Sequence, residues 1–595
     1  MTTKKAISIM RYFHFSTIWG GILLLLSIYP LSAQTETTTR TQRADTLRRE
    51  LLVVSDQEVQ IEQALPLHSK FEFDKPKLTK LKPLPPRSTG DFTPPVIVPR
   101  HPMLSDLAAQ VPSSKRYGYL QLAAGADPNV RLQGGYSRLF AEKHQLDIHL
   151  SHYSKQHNTP LSNDKISLVK RHVSDAWLGY SLFGSKGTFT VQAQGAYDFY
   201  NYFALNPLVA LGSSLFTTPL SVGEDYEKVQ LSYQTTPAQK VNASVDFAYE
   251  HTGLAVKNRD VSPNRVEEQR VLLDARFQGK RSESLFIGVD FSTLAQFTHS
   301  RNTPLQHKRG ENLSHGMALS EIVPHIEFST LLGTTRWNVY AGGGIGFLTT
   351  RKNNAYFYPK VSTSLTFSKN VQLFARAEGG AKALSRHELG KVNRFIDPHQ
   401  VISPSIYTLD AELGIRTYWG YGVSLDLSGG YQILPNMTFL APDVTVTDPQ
   451  KNSFVAFVPL YDKMNSWYLK GVLSYALGEK LQFSLSSLFH NYKTEKLSVA
   501  EGLPTWSLEG EALYRWNERL SFSVRTKLHY GIRYSITPEQ KYSVQDLLLR
   551  GQYRLNKRWS IYGEIKNPIF GASEYPFGYR DFYPIAGMIG ATMLF

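Results

Sequence analysis

The chain has no cysteine. That excludes a disulfide scaffold, a thiolate zinc centre and a lipid-anchored bacterial lipoprotein, each of which needs a thiol. Charge is also sparse, at 19% of the 595 residues against 42% hydrophobic, which is too apolar a balance for a disordered chain. Acidic residues are outnumbered, 50 against 65 basic ones, for a formal charge of +15. Beyond the first 33 residues no continuous apolar run reaches the ~20 residues of a membrane-spanning helix, so a helical membrane protein is excluded. A mean hydropathy of −0.27 leaves a transmembrane barrel open, because barrel strands alternate lipid-facing and lumen-facing residues and therefore score as polar.

What is present begins with an address. Lys4, Lys5 and Arg11 precede an apolar run from Ile18 to Leu26, and Ser32-Ala33 offers a cleavage point before Gln34. Residues 1–33 thus read as a signal peptide. Residues 34–115 form a second region, with an apolar patch at Leu51-Leu52-Val53-Val54 and a proline series at Pro83, Pro85, Pro86, Pro94, Pro95, Pro99 and Pro102. Proline at this density denies backbone donors and favours extended chain. The region reads as a periplasmic arm with one short strand near Leu51–Val54, serving either as a flexible linker or as a segment docked in a lumen.

From Arg116 to Phe595 the pattern becomes strict alternation. In Leu520-Ser521-Phe522-Ser523-Val524-Arg525-Thr526-Lys527-Leu528-His529-Tyr530 one face is large and mostly apolar and the other polar or charged, which is the period of a β-strand with one side against hydrocarbon. The same sorting recurs at Val423–Ser428, Leu481–Ser486, Val241–Phe247 and Phe189–Gln194. About 22 such segments fit the region, leaving about 22 residues for each strand and its connection, against ~10 needed to cross a bilayer. Very short turns fall at 141–143, 184–187, 368–370, 420–422, 478–480, 517–519 and 556–558. Mostly longer connections lie between them, the largest near 204–224, 298–315, 383–405 and 435–464, with short ones at 127–129 and 352–354. The fold expected is all-β: a transmembrane antiparallel β-barrel of about 22 strands over 116–595, both termini periplasmic, in the outer membrane. A β-propeller is excluded by the absence of a blade-length repeat.

The C-terminal stretch Trp559–Phe570, followed by Tyr575-Pro576-Phe577-Gly578-Tyr579-Arg580-Asp581-Phe582-Tyr583 and the closing Phe595, resembles the last two strands of TonB-dependent receptors. Lys115–Leu122, after an arm opening at Asp45-Thr46-Leu47, resembles the start of a Bacteroidota barrel family labelled TonB-dependent-receptor-like. The resemblance implies solute binding or transport at the outer membrane. The arm is too short for the family's four-stranded plug, and Glu50–Val54 is a poor TonB box, so energised import by this chain alone is not expected. The other reading of a plug-less barrel is a structural scaffold with a periplasmic or outer-membrane protein partner. Outer-membrane lipid and lipopolysaccharide are the surroundings expected, and nucleic acid is not expected as a partner.

Chemical motifs are few. Gly342-Gly343-Gly344-Ile345-Gly346 lies in a strand pattern with no helix to offer N–H groups to phosphate, so its glycines read as places of strand curvature or close approach. Ser151-His152 and Ser314-His315 are adjacent in strands and point to opposite faces, so neither pair can share a proton. His299, His307 and His315, among Arg301, Lys308 and Arg309, read as a solvated basic loop. No catalytic residue, cofactor or metal ligand is assigned. The alternation instead places charges of both signs in the lumen: Asp147, Asp246, Glu250, Asp290, Arg376, Glu378, Asp426, Glu509, Glu511, Arg525, Lys527, Glu564 and Lys566. They read as a hydrated or salt-bridged wall, or as a substrate-recognising one. A bore of this width is expected to be occluded by the arm, by inward-folded loops such as 435–464, or by a partner.

Overall fold

The computed structural model describes residues 117–125, 129–140, 143–160, 166–201, 221–236, 240–258, 261–301, 313–350, 353–368, 370–397, 400–419, 422–443, 456–478, 480–567, 573–574, 580–581 and 586–595. The signal peptide, the arm with its Leu51–Val54 strand, and most of Tyr575–Tyr583 lie outside these residues.

The first strands are β1 (Gly118–Gly125), β2 (Asn129–Phe140), β3 (His144–Pro160), β4 (Ile166–Phe183), β5 (Gly187–Asn201), β6 (Ser221–Thr235) and β7 (Val241–Asn258). Next come β8 (Val261–Lys280), β9 (Leu285–Arg301), β10 (Leu313–Leu332), β11 (Thr335–Thr349), β12 (Asn353–Ser368) and β13 (Val371–Lys382). After the helix α1 (Arg386–Val392) follow β14 (Ser405–Trp419), β15 (Val423–Asp443), β16 (Ala456–Leu477), β17 (Leu481–Thr494) and β18 (Trp506–Arg515). The chain ends with β19 (Leu520–Ile532), β20 (Tyr542–Arg554), β21 (Trp559–Lys566), a small hairpin of β22 (Ser573–Glu574) and β23 (Arg580–Asp581), and β24 (Ala586–Leu594).

Among the described residues, 22 strands form one antiparallel sheet. β21 pairs with β24, and β24 returns to β1 from Tyr119 opposite Leu594 to Gly125 opposite Met588. The N–H groups of Tyr117 and Gly118 both donate to the Phe595 carbonyl, at 2.8 and 2.9 Å. The sheet therefore has no edge, and its ladder satisfies the strand backbone without water.

The expected asymmetry of connections is present. Within the 22-stranded sheet every link from an even-numbered strand to the next, from β2–β3 to β20–β21, is short, and these links share one end of the barrel. Two of these turns show their chemistry plainly: Asn517 Oδ1 accepts from the N–H of Arg519 and Leu520, and Asn556 Oδ1 from Arg558 and Trp559, each an Asx turn. The opposite end carries the longer links. There the expectation of a loop over 435–464 gives way to strand: β15 continues to Asp443 and β16 starts at Ala456, with a register shift between Leu434 and Met437. The reason is burial, since Leu434, Met437, Phe439 and Met464 form an inward apolar cluster. His299 and His315 are likewise on paired strands β9 and β10 rather than in a loop.

The outer face is apolar. Leu413, Phe357 and Ile589 are 67%, 70% and 77% exposed, whereas Glu412 and Tyr358 next to the first two, and Thr592 three residues beyond Ile589, are buried. The inner-face glycines have a different explanation from loop chemistry. Rings from the next strand lie across them, Tyr358 over Gly344, Tyr356 over Gly346, Tyr468 over Gly430 and Tyr562 over Gly590, so that a Cβ on any of these glycines would meet a ring carbon at 2.1–2.4 Å.

Candidate functional site inside the barrel

The connection between β13 and β14 crosses the bore. Its helix starts with a capping box: Ser385 Oγ accepts from the Glu388 N–H at 3.0 Å while the Glu388 carboxylate accepts from the Ser385 N–H at 2.7 Å. Lys391 in the last turn suits the helix dipole. Seven residues are too few to be stable alone, so docking holds the helix. Leu389, Ile396 and Ile402 pack in one cluster with Val169, Tyr200, Val222, Leu254 and Val266 of β4–β8, and with Phe457, Ile532, Tyr534, Tyr542 and Val544 from β16 and the β19–β20 region. β6 and β16 lie ten strands apart on a circle of 22, so this cluster joins opposite walls. Ile396 bridges to Phe457, fixed by Asp397 N–H to Phe457 O and Phe457 N–H to Phe395 O, both 2.8 Å.

Charges flank the apolar contacts. The His387 ring lies flat on Tyr226, centroids 3.8 Å apart and 7° from parallel, and its Nδ1 is 2.5 Å from Glu224. The Arg386 N–H donates to Glu268 at 2.8 Å, and its guanidinium lies 3.9 Å from the same carboxylate and bonds the Gln400 carbonyl. Arg270 donates to Glu250 at 3.1 Å, to Glu388 at 3.3 Å and to the Ala383 carbonyl at 2.9 Å. Partial burial raises the Glu388 carboxyl, but Arg270 and the Ser385 donors outweigh it and hold the group below the ordinary carboxylate range. Burial lowers the Arg386 guanidinium, an effect that Glu268, Asp397 and Glu224 oppose. Sequence reading missed Glu224, Glu268, Arg270, Arg386 and His387. The Ser385-x-x-Glu388 spacing signals the helix, but nothing local joins it to strands more than a hundred residues away.

The charges assigned to the lumen from alternation are distributed around the wall in pairs. Arg376 meets Glu412 at 2.5 Å, and Glu378 stands opposite Lys360 in the β12–β13 register. Asp426 meets Arg416 at 2.8 Å, Glu509 meets Lys527 at 3.0 Å, and Glu511 meets Arg525 at 3.1 Å. Lys566 lies 3.6 Å from Asp546, and Asp246 accepts from the Ser232 hydroxyl. Glu564 joins Arg131 at 2.8 Å and Arg550 at 3.3 Å. These residues do not converge on one centre. A further wall cluster gathers Arg276, Lys360 and Tyr340 around Asp290, at 2.7, 3.1 and 3.2 Å. His152 bonds Ser174 at 2.9 Å across the β3–β4 ladder. Among the described residues no group of three or more His, Cys, Asp or Glu could hold a metal.

A closed 22-stranded antiparallel barrel with an apolar exterior has the fold of TonB-dependent receptor barrels. No protein-family model matches the sequence, and no curated protein does. Solved structures do. The iron transporter FrpB from Neisseria meningitidis (F3-3 variant) aligns with a TM-score of 0.62 at 9% identity, over 81% of this chain and 82% of that one. The copper transporter OprC gives 0.57 at 10% identity over 82% of each chain. The ferric-catecholate import receptor Fiu from Escherichia coli K12 gives 0.58 at 8% identity over 81% and 82%. Identities this low establish the fold alone.

Proposed function

We propose that the chain is an outer-membrane protein that binds a solute and passes it through its bore, with the termini and short turns in the periplasm and the long connections outside. The observation that carries this reading is the pairing of an apolar exterior with a charged bore that the β13–β14 connection crosses. A bore lined by ion pairs is hydrated and suits a polar solute, and the segment across it supplies closure that an open 22-stranded barrel lacks. The neighbours named as transporters and import receptor support transport over catalysis.

The test is conductance in planar bilayers. The full protein is expected to conduct little, and a variant with residues 384–402 replaced by a short Gly-Ser linker to conduct several-fold more. Unboiled samples of both should migrate apart from boiled ones on a denaturing gel. Large conductance in both forms would make the segment irrelevant to closure. Little conductance in both, with a rise on deleting residues 40–110 instead, would move the closure to the arm.

A further inference from the structure

We infer that the seat of α1 is a recognition site for the flat polar side chains of a basic peptide, a guanidinium or an imidazole, and that Arg386 and His387 are its intramolecular occupants. The geometry at His387 is that of a ligand in a binding site rather than of a fold contact. Its ring is stacked on the Tyr226 face with the Glu224 carboxylate at its edge, and an aromatic face beside a carboxylate is how proteins hold flat cations. Arg386 shares the carboxylate half of this arrangement, its guanidinium lying 3.9 Å from Glu268, a side chain 2% exposed. The seat is built on strands β6 to β9 and includes buried atoms that the segment leaves without a hydrogen-bond partner, Arg270 Nε and Gln296 Oε1. Gln296 donates from its other amide atom to Glu268, which sets the orphan oxygen beside the cation position. A ligand larger than the segment's own two side chains has a donor and an acceptor waiting there.

The occupant is exchangeable for a structural reason. α1 is seven residues long and held by side-chain contacts and one bridge, outside the ladder that closes the barrel. The strand before it carries a register shift between Glu378 and Gly380, close to its end at Lys382, with Gly380 at φ +134, a conformation that other residues resist. A basic peptide that takes the seat must displace Arg386 and His387, so binding and widening of the bore are one event. This deepens the proposed transport reading by naming a substrate class, and it is measured without transport.

The probe is a fluorescent peptide with the sequence Ser385–Asp397, added to detergent-solubilised protein carrying the 384–402 linker replacement. Saturable binding is expected. It should weaken about tenfold or more when Glu224→Gln and Glu268→Gln are combined, and by a similar factor when the peptide carries Gln in place of its Arg and His at the positions of Arg386 and His387. Binding that ignores both changes overturns the proposal, as does absence of binding to a variant whose unboiled gel band shows a closed barrel. Should the replacement not close, the full chain with Ile396→Cys and Phe457→Cys decides. The two positions are bridge partners within disulfide reach, and the chain has no other thiol. The reduced form should bind peptide and the oxidised form should not. Equal binding in both, or none in the reduced form, overturns the inference. Failure here with conductance rising on excision removes the ligand class alone, and peptide binding without any conductance change removes the transport reading alone.

Discussion

At the scale of single residues, the lumen is set by how side chains share space on a wall that curves away from them. A tyrosine on an inner face can lie flat only if its neighbour has no Cβ, and the glycines at 344, 346, 430 and 590 provide that at four places. Tyr356 then reaches Glu321 at 2.6 Å, and Tyr468 reaches Asp410 at 3.3 Å. Replacing Gly344 with Val sets a branched Cβ 2.1 Å from a Tyr358 ring carbon, an overpacking that costs about 1–3 kcal/mol. The expected outcome is a lower temperature for conversion of the unboiled gel band to the boiled one, and Gly343→Val, where a Cβ meets nothing within 4 Å, is the matched control. A control that loses as much as the test variant would remove the ring-on-glycine account. In the sequence Gly344 and Gly346 were legible as places of strand curvature or close approach; that the approaching group is a tyrosine from the next strand depends on register, and Gly590 carried no such mark.

At the scale of one strand, alternation carries the energetics. β14 presents Leu413 outward and Glu412 inward to Arg376, and β15 presents Leu427 outward and Asp426 inward to Arg416. An arginine on the lipid face near the bilayer midplane costs about 2–4 kcal/mol, whereas a half-exposed surface pair contributes well under 1 kcal/mol. Leu413→Arg should therefore reduce the yield of folded barrel in outer-membrane fractions, and Asp426→Asn should leave it nearly unchanged. The reverse order would mean that the faces have been assigned the wrong way round. Alternation was readable without any structure because its period is local. The helix between β13 and β14 was half readable: its capping box is four consecutive residues, but its destination is a wall built from β6 to β8.

For the molecule as a whole, closure decides stability, and it occurs where the two chain ends of the sheet meet. The seam strands β21, β24 and β1 have 8, 9 and 8 residues, against 22 in β16, so fewer ladder bonds join them than join any long pair. Glu564 on β21 reaches Arg131 on β2 past both intervening strands, and Arg550 on β20 from the other side. That carboxylate, 4% exposed, straps the seam from within. Glu564→Gln leaves two partly buried guanidiniums without their anion, a loss of about 2 kcal/mol. Earlier unfolding in urea is expected, followed by the heat-modifiable band, with Glu511→Gln as a control pair away from the seam. If Glu511→Gln costs as much, the strap has no special role in closure.

By itself the sequence determined the class of this protein: a period-two pattern sustained over some 480 residues, punctuated by tight turns, admits a strand-built barrel, and alternation then assigns Asp246, Arg376, Glu564 and their fellows to one face. These are local properties, set by side-chain direction along an extended chain. Which connection enters the bore was decided by tertiary structure. Leu389, Ile396 and Ile402 carry no mark in the sequence that distinguishes them from residues of any other long link, because what they bury against comes from β4 to β8 on one side and from Phe457 and Tyr534 on the other. The seat of His387 and Arg386 lies on β6 to β9, but the segment that fills it is anchored only once those walls face each other across a closed sheet, and closure is a property of register summed over 22 strands rather than of any segment.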